Sequence, residues 1–281
     1  MKQKRILTIQ DYSCLGRCSL TVALPILSAF GHECVGLPTA VLSNHTAYAS
    51  WTYSDLSKDM MPSVEKWLPY EHHFDLILTG YLGNGQAKIV EDICQKLQRE
   101  DTVLMVDPAF ADNGKLYAGF DENHTAEMRE LVKKASLIVP NVTEACALLG
   151  KEFPGDELTK DQITDILHSL AALGPKKVVL TGVTLAHGKR VGEATYDAKE
   201  EEIDLYYTPC YPGRYHGAGD VFAACLAGAY VRGVPFVEAV ELAHDYVHRS
   251  MHYTLQDKED GILYGLEFER AIPYLLKRLA K

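Results

Sequence analysis

The stretch HGAGDVF, at residues 216–222, places two glycines and an aspartate directly before a run of small apolar residues. A glycine-rich turn that leads into a helix presents unpaired backbone N–H groups and the positive end of the helix dipole. Gly217 and Gly219 would let the backbone approach a ligand without Cβ clashes, with the amide of Ala218 directed at it. The stretch therefore predicts a cradle for an anion.

Asp220 has two compatible interpretations. A carboxylate at a helix N-terminus is a common cap. Beside an anion cradle, it could also take a proton from an attacking hydroxyl while the amides stabilise a transferring phosphoryl group. No Gly-Lys-Ser/Thr follows the glycines, and the G-x-G-x-x-G pattern is absent here, so neither the P-loop nor the dinucleotide fingerprint applies.

These residues must be positioned by regular elements, and the order of those elements indicates an α/β fold. Short β-branched runs alternate with longer amphipathic stretches, as in a parallel sheet covered by helices. We predict strands over residues 5–10, 34–39, 75–79, 103–107, 136–140 and 177–181. We predict helices over residues 20–30, 86–99, 127–134, 143–149, 160–173, 218–232 and 236–253. Residues 190–208 alternate polar and apolar side chains and predict a hairpin.

Polar residues follow several of the predicted strands. Ligands of open α/β sheets bind at the carboxyl ends of the strands, where loops leave a rigid platform. Those ends carry Asp11, Tyr81, Asp107, Asn141 and Thr181. We therefore expect the site to be built there, together with the glycine-rich turn.

The composition is that of an ordinary globular protein, with 281 residues, 47 % hydrophobic and 23 % charged, and we expect one domain over residues 1–281. The net charge of −10 argues against nucleic acid or an anionic membrane surface as a partner. The N-terminal apolar run is too short for a signal peptide, and no window approaches a membrane span. Seven scattered cysteines fit reduced thiols, so we expect a cytoplasmic protein.

Several motifs, taken together and in order, resemble a known family. HGAGDVF followed by a small-residue helix looks like the anion-hole and catalytic-base motif of the ribokinase-like kinases. The other motifs together resemble pyridoxal kinases: IQDYSCLGRCSL, SNHTAY, LTGYLGN, DPAFADNGKLY and VPNVTEACALL. The resemblance covers most of the chain and implies a three-layer α/β/α sandwich with a central, mostly parallel sheet.

The resemblance also implies an activity and roles for residues. The enzyme would use ATP, Mg²⁺ and a monovalent cation, K⁺, to phosphorylate the 5′-hydroxymethyl group of a vitamin B6 vitamer, with Asp220 as the base. The anion hole would be formed by Gly217, Ala218 and Gly219. The polar shell that organises metal ions and phosphates would include Asp107 and Glu144 as metal residues. The nucleotide would be bound by Asn141, Thr181, Gly182 and Asp112, and the pyridine ring by Asp11, Ser13, Thr46 and Tyr81.

Each of these assignments has a structural alternative. Asp107 could close a strand, Asn141 could cap the following helix, and Thr46 could belong to an ordinary turn. Tyr81 could be a packed aromatic residue, and His45 and His216 could be hydrogen-bonded structural histidines. Cys210 lies in a loop from which a thiol could attack the aldehyde of pyridoxal reversibly.

Two residues depart from the family pattern. Ala218 stands where pyridoxal kinases more often carry threonine. Alanine keeps the backbone amide at this position but lacks the hydroxyl of threonine. Asp11 replaces the serine of some relatives and would bring a negative charge close to the ring, where it could pair with a phenol, a pyridinium or an amine. The preferred vitamer is therefore open.

Other functions fit part of the pattern. Hydroxymethylpyrimidine kinase is the nearest alternative, and a sugar or nucleoside kinase is more distant. A non-catalytic vitamer-binding protein would not need Asp220 beside an anion hole. The resemblance implies a homodimer, for which the amphipathic region at residues 51–67 is a candidate contact, although it could equally belong to the core. Residues 209–215 are a candidate flap over the phosphates.

Overall fold

The computed structural model describes residues 3–70, 73–213, 215–257 and 261–280. Its strands are β1 (Arg5–Leu15), β2 (Glu33–Asn44), β3 (Tyr53–Asp55), β4 (Leu76–Thr79), β5 (Val103–Val106), β6 (Ala111–Asp112), β7 (Lys115–Leu116), β8 (Leu137–Ile138), β9 (Lys177–Leu185), β10 (Arg190–Asp197) and β11 (Glu202–Pro209). Its α-helices are α1 (Leu20–Ala29), α2 (Ser57–Trp67), α3 (Gln86–Leu97), α4 (Glu122–Lys134), α5 (Val142–Leu149), α6 (Lys160–Ala171), α7 (Ala218–Val231), α8 (Phe236–Asp257), α9 (Gly261–Tyr264) and α10 (Ile272–Leu279), with a 3₁₀ turn at Phe268–Ala271.

One nine-stranded sheet organises the chain, in the order β11-β10-β9-β8-β5-β4-β1-β2-β3. Neighbouring strands are parallel from β9 through β8, β5, β4 and β1 to β2. The hairpin β10–β11 at one edge and β3 at the other are antiparallel. The predicted mostly parallel sheet and the hairpin are therefore confirmed.

Helices cover both faces of this sheet. Successive side chains of a strand point to opposite faces, so strands that are apolar throughout have two faces to bury. Leu7 and Ile77 face a core built with α2 to α6, whereas Ile6 and Leu76 face a second core built with α1, α7, α8 and α10. Both faces of the central strands are thus buried, as is usual for parallel strands. The three-layer α/β/α arrangement is confirmed.

Several boundaries differ from the sequence predictions, and β2, β9 and α8 extend beyond their predicted ends, to Asn44, Leu185 and Asp257. β1 does not end at residue 10 but continues to Leu15, with its register to β2 shifted between Gln10 and Tyr12. β8 has only two residues instead of five, since pairing stops before Pro140. α4 begins five residues earlier than predicted, at Glu122, where the Asp121 side chain caps it by accepting from the N–H groups of Asn123 and His124.

The region at residues 51–67 contains β3 and α2. Met60 and Val64 on α2 are buried, so the helix covers the sheet, as the core alternative predicts. Trp51 and Tyr53 are exposed at the edge of the sheet. Over the part of the chain that the structure describes, no helix is both long and apolar enough to cross a bilayer.

Candidate active site

Two adjoining cavities, each of about 360 Å³, open at the carboxyl ends of the parallel strands. Six residues line both cavities: Ala109, Asp112, Tyr117, His216, Gly217 and Asp220. We call the cavity lined by Asn141 and Thr181 the nucleotide cavity, and the cavity lined by Asp11 and Tyr81 the acceptor cavity, after the roles predicted for these residues. Asp220 and the glycine-rich turn lie where the two meet.

Each predicted site residue lines one or both of the two cavities. The nucleotide cavity is lined by Asp107, Asp112, Asn141, Glu144, Thr181, Gly182, Gly217, Ala218, Gly219 and Asp220. The acceptor cavity is lined by Asp11, Ser13, Thr46 and Tyr81. The fold therefore brings together residues that are more than 200 positions apart in the chain, from Asp11 to Asp220.

The glycine-rich turn begins α7, and Gly217 is its N-cap residue with φ +75°. A Cβ atom at Gly217 would lie 2.0 Å from the backbone oxygen of Arg17, so the turn requires glycine there. A Cβ at Gly219 would meet nothing within 4 Å. The open space beside Gly219 is where an anion can approach the amides of the first turn.

Asp220 is the third residue of α7, and no side-chain cap hydrogen bond is formed at the start of that helix. Because Gly217 occupies the N-cap position, Asp220 is not the N-cap residue that the capping interpretation requires. Burial raises the pKa of Asp220 to about 7, against a hydrogen bond from the Ser19 backbone N–H that lowers it and the charge of Asp11 that raises it. A pKa near neutrality suits a group that must accept and release a proton.

Asn141 and Glu144 form a capping box at the start of α5. The Asn141 side chain accepts from the Glu144 N–H at 2.9 Å, and Glu144 Oε2 accepts from the Asn141 N–H at 3.0 Å. Glu144 Oε1 also accepts from the N–H groups of Phe110 and Ala111 at 3.0 and 3.4 Å. The capping alternative for Asn141 is confirmed, and Glu144 fixes the loop after β5 by accepting these backbone donors.

Asp107, Glu144 and Asp220 form a group of closely spaced acids. Burial raises the pKa of Asp107 well above its usual range, and the charges of Glu144 and Asp220 add to the effect. Burial raises the pKa of Glu144 to about 7, although its backbone donors lower it. Neighbouring buried acids of this kind are stabilised by a cation.

The residues fit magnesium. Mg²⁺ is usually held by one or two carboxylates together with waters and substrate phosphates, and not by an all-protein cage. Among the described residues no cluster of three or more acidic, His or Cys side chains forms such a cage. Asp107, and Asp112 on β6, offer carboxylates to the nucleotide cavity, as this mode of binding requires.

On the acceptor side, Asp11 and Ser13 share one face of β1, because alternate residues of a strand point the same way. Ser13 Oγ donates to Asp11 Oδ2 at 2.8 Å, and Ser19 Oγ donates to Asp11 Oδ1 at 2.5 Å. Burial raises the pKa of Asp11, against these hydrogen bonds. Both carboxylate oxygens of Asp11 therefore already accept from the protein.

Tyr81 follows β4 and stacks on Phe120, with ring centroids 5.5 Å apart. Phe120 in turn stacks on His124 of α4 at 3.7 Å. The packed-aromatic alternative is therefore correct for one face of Tyr81, while the residue also lines the acceptor cavity.

Sequence reasoning missed several cavity residues. Glu193 lies at an irregularity of β10, where the register to β9 shifts, and its Oε2 is hydrogen-bonded to His244 Nδ1 at 2.5 Å. His244 Nε2 contacts Thr208 Oγ1 at 2.7 Å, and all three residues line the nucleotide cavity. A strand irregularity that turns an acidic side chain inward carries no simple sequence signal.

The histidine and flap predictions have mixed outcomes. His45 is hydrogen-bonded through Nε2 to the Leu263 carbonyl at 2.8 Å, as expected of a structural histidine, and stacks on His216 at 5.3 Å. Cys210 is exposed and lines neither cavity. Of the predicted flap at residues 209–215, Arg214 lies outside the described residues, whereas Tyr215 lines the nucleotide cavity.

The chain is similar to known proteins over almost its whole length. A family model described as "Phosphomethylpyrimidine kinase" matches residues 26–262. A Bacteroides thetaiotaomicron protein crystallised with pyridoxal is 33 % identical with a TM-score of 0.93, covering 98 % of this chain and 96 % of that chain. The pyridoxal kinase of Lactobacillus plantarum is 30 % identical with a TM-score of 0.88, covering 98 % of both chains.

Relatives known from sequence point the same way. Human pyridoxal kinase is 30 % identical over 274 residues, which are 90 % of this chain and 84 % of the human protein. A thiamine biosynthetic bifunctional enzyme of Arabidopsis thaliana is 26 % identical, and the match spans 90 % of this chain but only 47 % of that enzyme. The resemblance inferred from the motifs is thus confirmed. The chain belongs to the phosphomethylpyrimidine kinase family of the ribokinase-like superfamily, which includes the pyridoxal kinases.

Proposed function

We propose that this protein transfers the γ-phosphoryl group of ATP to the 5′-hydroxymethyl group of a vitamin B6 vitamer: pyridoxal, pyridoxine or pyridoxamine. The observation that carries the proposal is the position of Asp220 and Gly217, which line both cavities at their junction. A phosphoryl donor in one cavity and a hydroxymethyl acceptor in the other would meet at a base and an anion cradle. Phosphoryl transfer needs this positioning more than covalent chemistry.

Asp220 takes the proton of the acceptor hydroxyl. The pKa of Asp220, about 7, leaves much of its carboxylate ionised at neutral pH. As the acceptor oxygen attacks, the proton passes to this carboxylate, and the negative charge of the transferring group faces the amides of Gly217, Ala218 and Gly219. Donors that are already oriented need no reorganisation during the step.

The remaining polar residues of the nucleotide cavity hold the phosphates. Asn141 and Thr181 sit side by side on adjacent chain segments, which pair as an isolated parallel bridge. Asp107 and Asp112 would hold Mg²⁺, which neutralises phosphate charge when bound. Glu144 supports them by fixing the loop at Phe110 and Ala111.

In the acceptor cavity, Tyr81 offers a ring surface for the flat pyridine, and Asp11, Ser13 and Thr46 offer polar contacts. Asp11 accepts from two serine hydroxyls, so its contribution to the ring is shared with Ser13 and Ser19. This arrangement supports recognition of a substituted aromatic ring with several polar groups.

Finer features are part of the same proposal. K⁺ as the monovalent cation and a cytoplasmic location rest on the resemblance and the cysteine usage. A single domain is supported by the nine-stranded sheet, whose strands come from residues 5–209, and by the packing of α7, α8 and α10 against it. A homodimer is supported by exposed apolar side chains on or beside the outer strands, namely Tyr12, Leu15, Val41, Trp51 and Tyr53.

The test is an acceptor panel with ATP, Mg²⁺ and K⁺: the three vitamers, hydroxymethylpyrimidine and ribose. We expect turnover with at least one vitamer. Asp220→Asn should lower kcat by roughly 100-fold or more, because a general base is removed, while ATP and vitamer still bind in calorimetry. Asp161→Asn, in the exposed first turn of α6, is the control and should keep wild-type kcat. Full activity of Asp220→Asn would contradict the assigned base.

Hydroxymethylpyrimidine phosphorylation is the second candidate, favoured by the description of the matching family model. Its substrate also carries a hydroxymethyl group on a flat nitrogen ring. Higher kcat/KM for the pyrimidine than for every vitamer would transfer the proposal to that substrate and leave the roles of Asp220 and the anion cradle in place.

A further inference from the structure

The nucleotide cavity extends along the edge of the sheet, past the residues assigned to phosphates and metal, to β10, β11 and α8. In the order of the sheet, β10 is three strands from β5, and Asp107 directly follows β5. Because neighbouring strands lie about 4.8 Å apart, β10 is about 14 Å from β5. An extended nucleoside triphosphate with its terminal phosphate near Asp107 would therefore bring its base to β10.

This end of the cavity has apolar walls. Val191 and Glu193 line it from β10, and they share one face of that strand because they are two residues apart. Val247 and Met251 line it from α8, where they are neighbours one helical turn apart. Apolar walls with a few placed polar groups are typical of a site for a flat ring.

Glu193 is the acidic group between these walls, and it is only 7 % exposed. It stands opposite Thr181 and Gly182, the two residues of β9 that the register shift leaves unpaired. Its Oε2 is hydrogen-bonded to His244 Nδ1, and His244 Nε2 is hydrogen-bonded to Thr208 Oγ1 at 2.7 Å. Three elements, β10, α8 and β11, therefore fix the position of the carboxyl group.

The second oxygen of Glu193, Oε1, is available to a ligand. Among the described residues no group donates a hydrogen bond to it, and it is not one of the fully buried atoms without a partner, so it is open to the cavity. Burial raises the pKa of Glu193, against the hydrogen bond and charge of His244. Whichever of Oε2 and Nδ1 carries the proton between them, Oε1 has none and can only accept.

We propose that Glu193 selects the phosphoryl donor by accepting a hydrogen bond from the exocyclic amino group of adenine, and that His244 and Thr208 hold Glu193 in position. This inference rests on the proposed function, whose nucleotide it specifies. On the edge of adenine that carries this amino group, the amino group donates and the ring nitrogen only accepts. The ribose hydroxyls also donate, but the ribose lies between the phosphates and the base, and the apolar walls beside Glu193 fit the base.

The test is calorimetric binding of ATP and of purine riboside 5′-triphosphate, which is ATP without the amino group, with Mg²⁺ and without an acceptor. We expect the wild type to bind ATP roughly 10- to 100-fold more tightly, as for a hydrogen bond to a charged group. In Glu193→Ala this ratio should fall below about 3-fold. Binding of the purine analogue should hardly change, because that ligand has no donor for Glu193, whereas a merely structural role would weaken both ligands alike.

The matched control is Glu202→Ala, at the exposed start of β11 in the same hairpin, which should keep the wild-type ratio. Equal binding of the two nucleotides by the wild type would overturn the inference even if Glu193→Ala does not fold. An unchanged ratio in Glu193→Ala would also overturn it, and so would a loss in that variant of discrimination against 2′-deoxyATP or 3′-deoxyATP, which would assign Glu193 to the ribose. Selective ATP binding without turnover on any acceptor would instead contradict the proposed function alone.

Discussion

Gly217 and Gly219 lie two residues apart in the same turn, yet only Gly217 has to be glycine for the backbone to fold. Its φ is +75°, and a Cβ there would overlap the Arg17 carbonyl. We expect Gly217→Ala to destabilise the protein by at least about 1 kcal/mol, the cost of a left-handed alanine, and to displace the amides of the turn. Gly219→Ala should have an unfolding free energy no lower than that of wild type, because the added Cβ meets no atom of the surrounding protein within 4 Å.

The two variants also separate stability from catalysis at the residue scale. The added methyl of Gly219→Ala would project into the space from which an anion approaches, so this variant should lose activity without losing stability. Urea denaturation together with steady-state kinetics distinguishes the two effects. Full activity in Gly219→Ala would show that the transferring group does not pass beside this residue.

Elements, and not only single residues, hold the acids of the site, and α5 shows how. Glu144, 2 % exposed, accepts hydrogen bonds from three backbone N–H groups. In Glu144→Gln an amide N–H₂ group would face one of these donors. We expect a loss of stability of about 1–3 kcal/mol, the usual cost of an unpaired buried polar group.

The same variant tests whether Glu144 holds the metal directly. Because its oxygens already accept from the backbone, we expect the Mg²⁺ concentration for half-maximal activity to change less in Glu144→Gln than in Asp107→Asn. Gln162→Ala, in the equivalent capping box of α6, is the control and should cost about 0.3–1.5 kcal/mol without altering the Mg²⁺ dependence. A larger shift in Glu144→Gln than in Asp107→Asn would assign Glu144 as a direct ligand.

α4 contributes His124, which is 2 % exposed and lies under Phe120 and Tyr81. Among the described residues neither of its ring nitrogens has a hydrogen-bond partner. Burial lowers its pKa from 6.5 to about 4. The unfolded chain therefore binds a proton between these values while the native protein does not, so this residue's contribution to stability is complete above pH 6.5 and is lost as the pH falls towards 4.

From this shift we expect the unfolding free energy to fall by roughly 1 kcal/mol between pH 7.5 and 5.5, from His124 alone. His124→Phe keeps the stacked ring but cannot be protonated. Between pH 7.5 and 5.5 the unfolding free energy of this variant should therefore fall by about 1 kcal/mol less than that of wild type. Urea denaturation of both proteins at the two pH values is the measurement. Parallel pH dependence in the two would show that His124 is not protonated on unfolding in this range.

The elements also show what the sequence could and could not predict. The strands around the site were predictable, because buried parallel strands are apolar runs followed by a polar residue, as at Val106 and Asp107. The continuation of β1 was not, because Asp11, Tyr12 and Ser13 are not apolar and the register to β2 shifts there. Ser19, which also lines the acceptor cavity, could not be found either, since only the fold brings it within hydrogen-bond distance of Asp11.

At the scale of the whole molecule, the apolar side chains that remain exposed are not evenly distributed. Val41, Trp51 and Tyr53 are each 37–44 % exposed on or beside the outer strands β2 and β3. An exposed strand edge with large apolar side chains is normally covered by a partner. The proposed homodimer would bury this edge, which is also continuous with the acceptor cavity through Leu42 of β2.

We therefore expect Trp51→Glu to shift the protein from dimer to monomer in light scattering coupled to size-exclusion chromatography, because a buried unpaired charge opposes association. Leu276→Glu is the matched control: Leu276 is 47 % exposed, on α10, and its replacement should leave the dimer intact. Since β2 borders the acceptor cavity, the monomer should have a raised KM for the vitamer and an unchanged KM for ATP. A wild type that is monomeric at every concentration, or dissociation by Leu276→Glu and not by Trp51→Glu, would contradict the assignment of this edge.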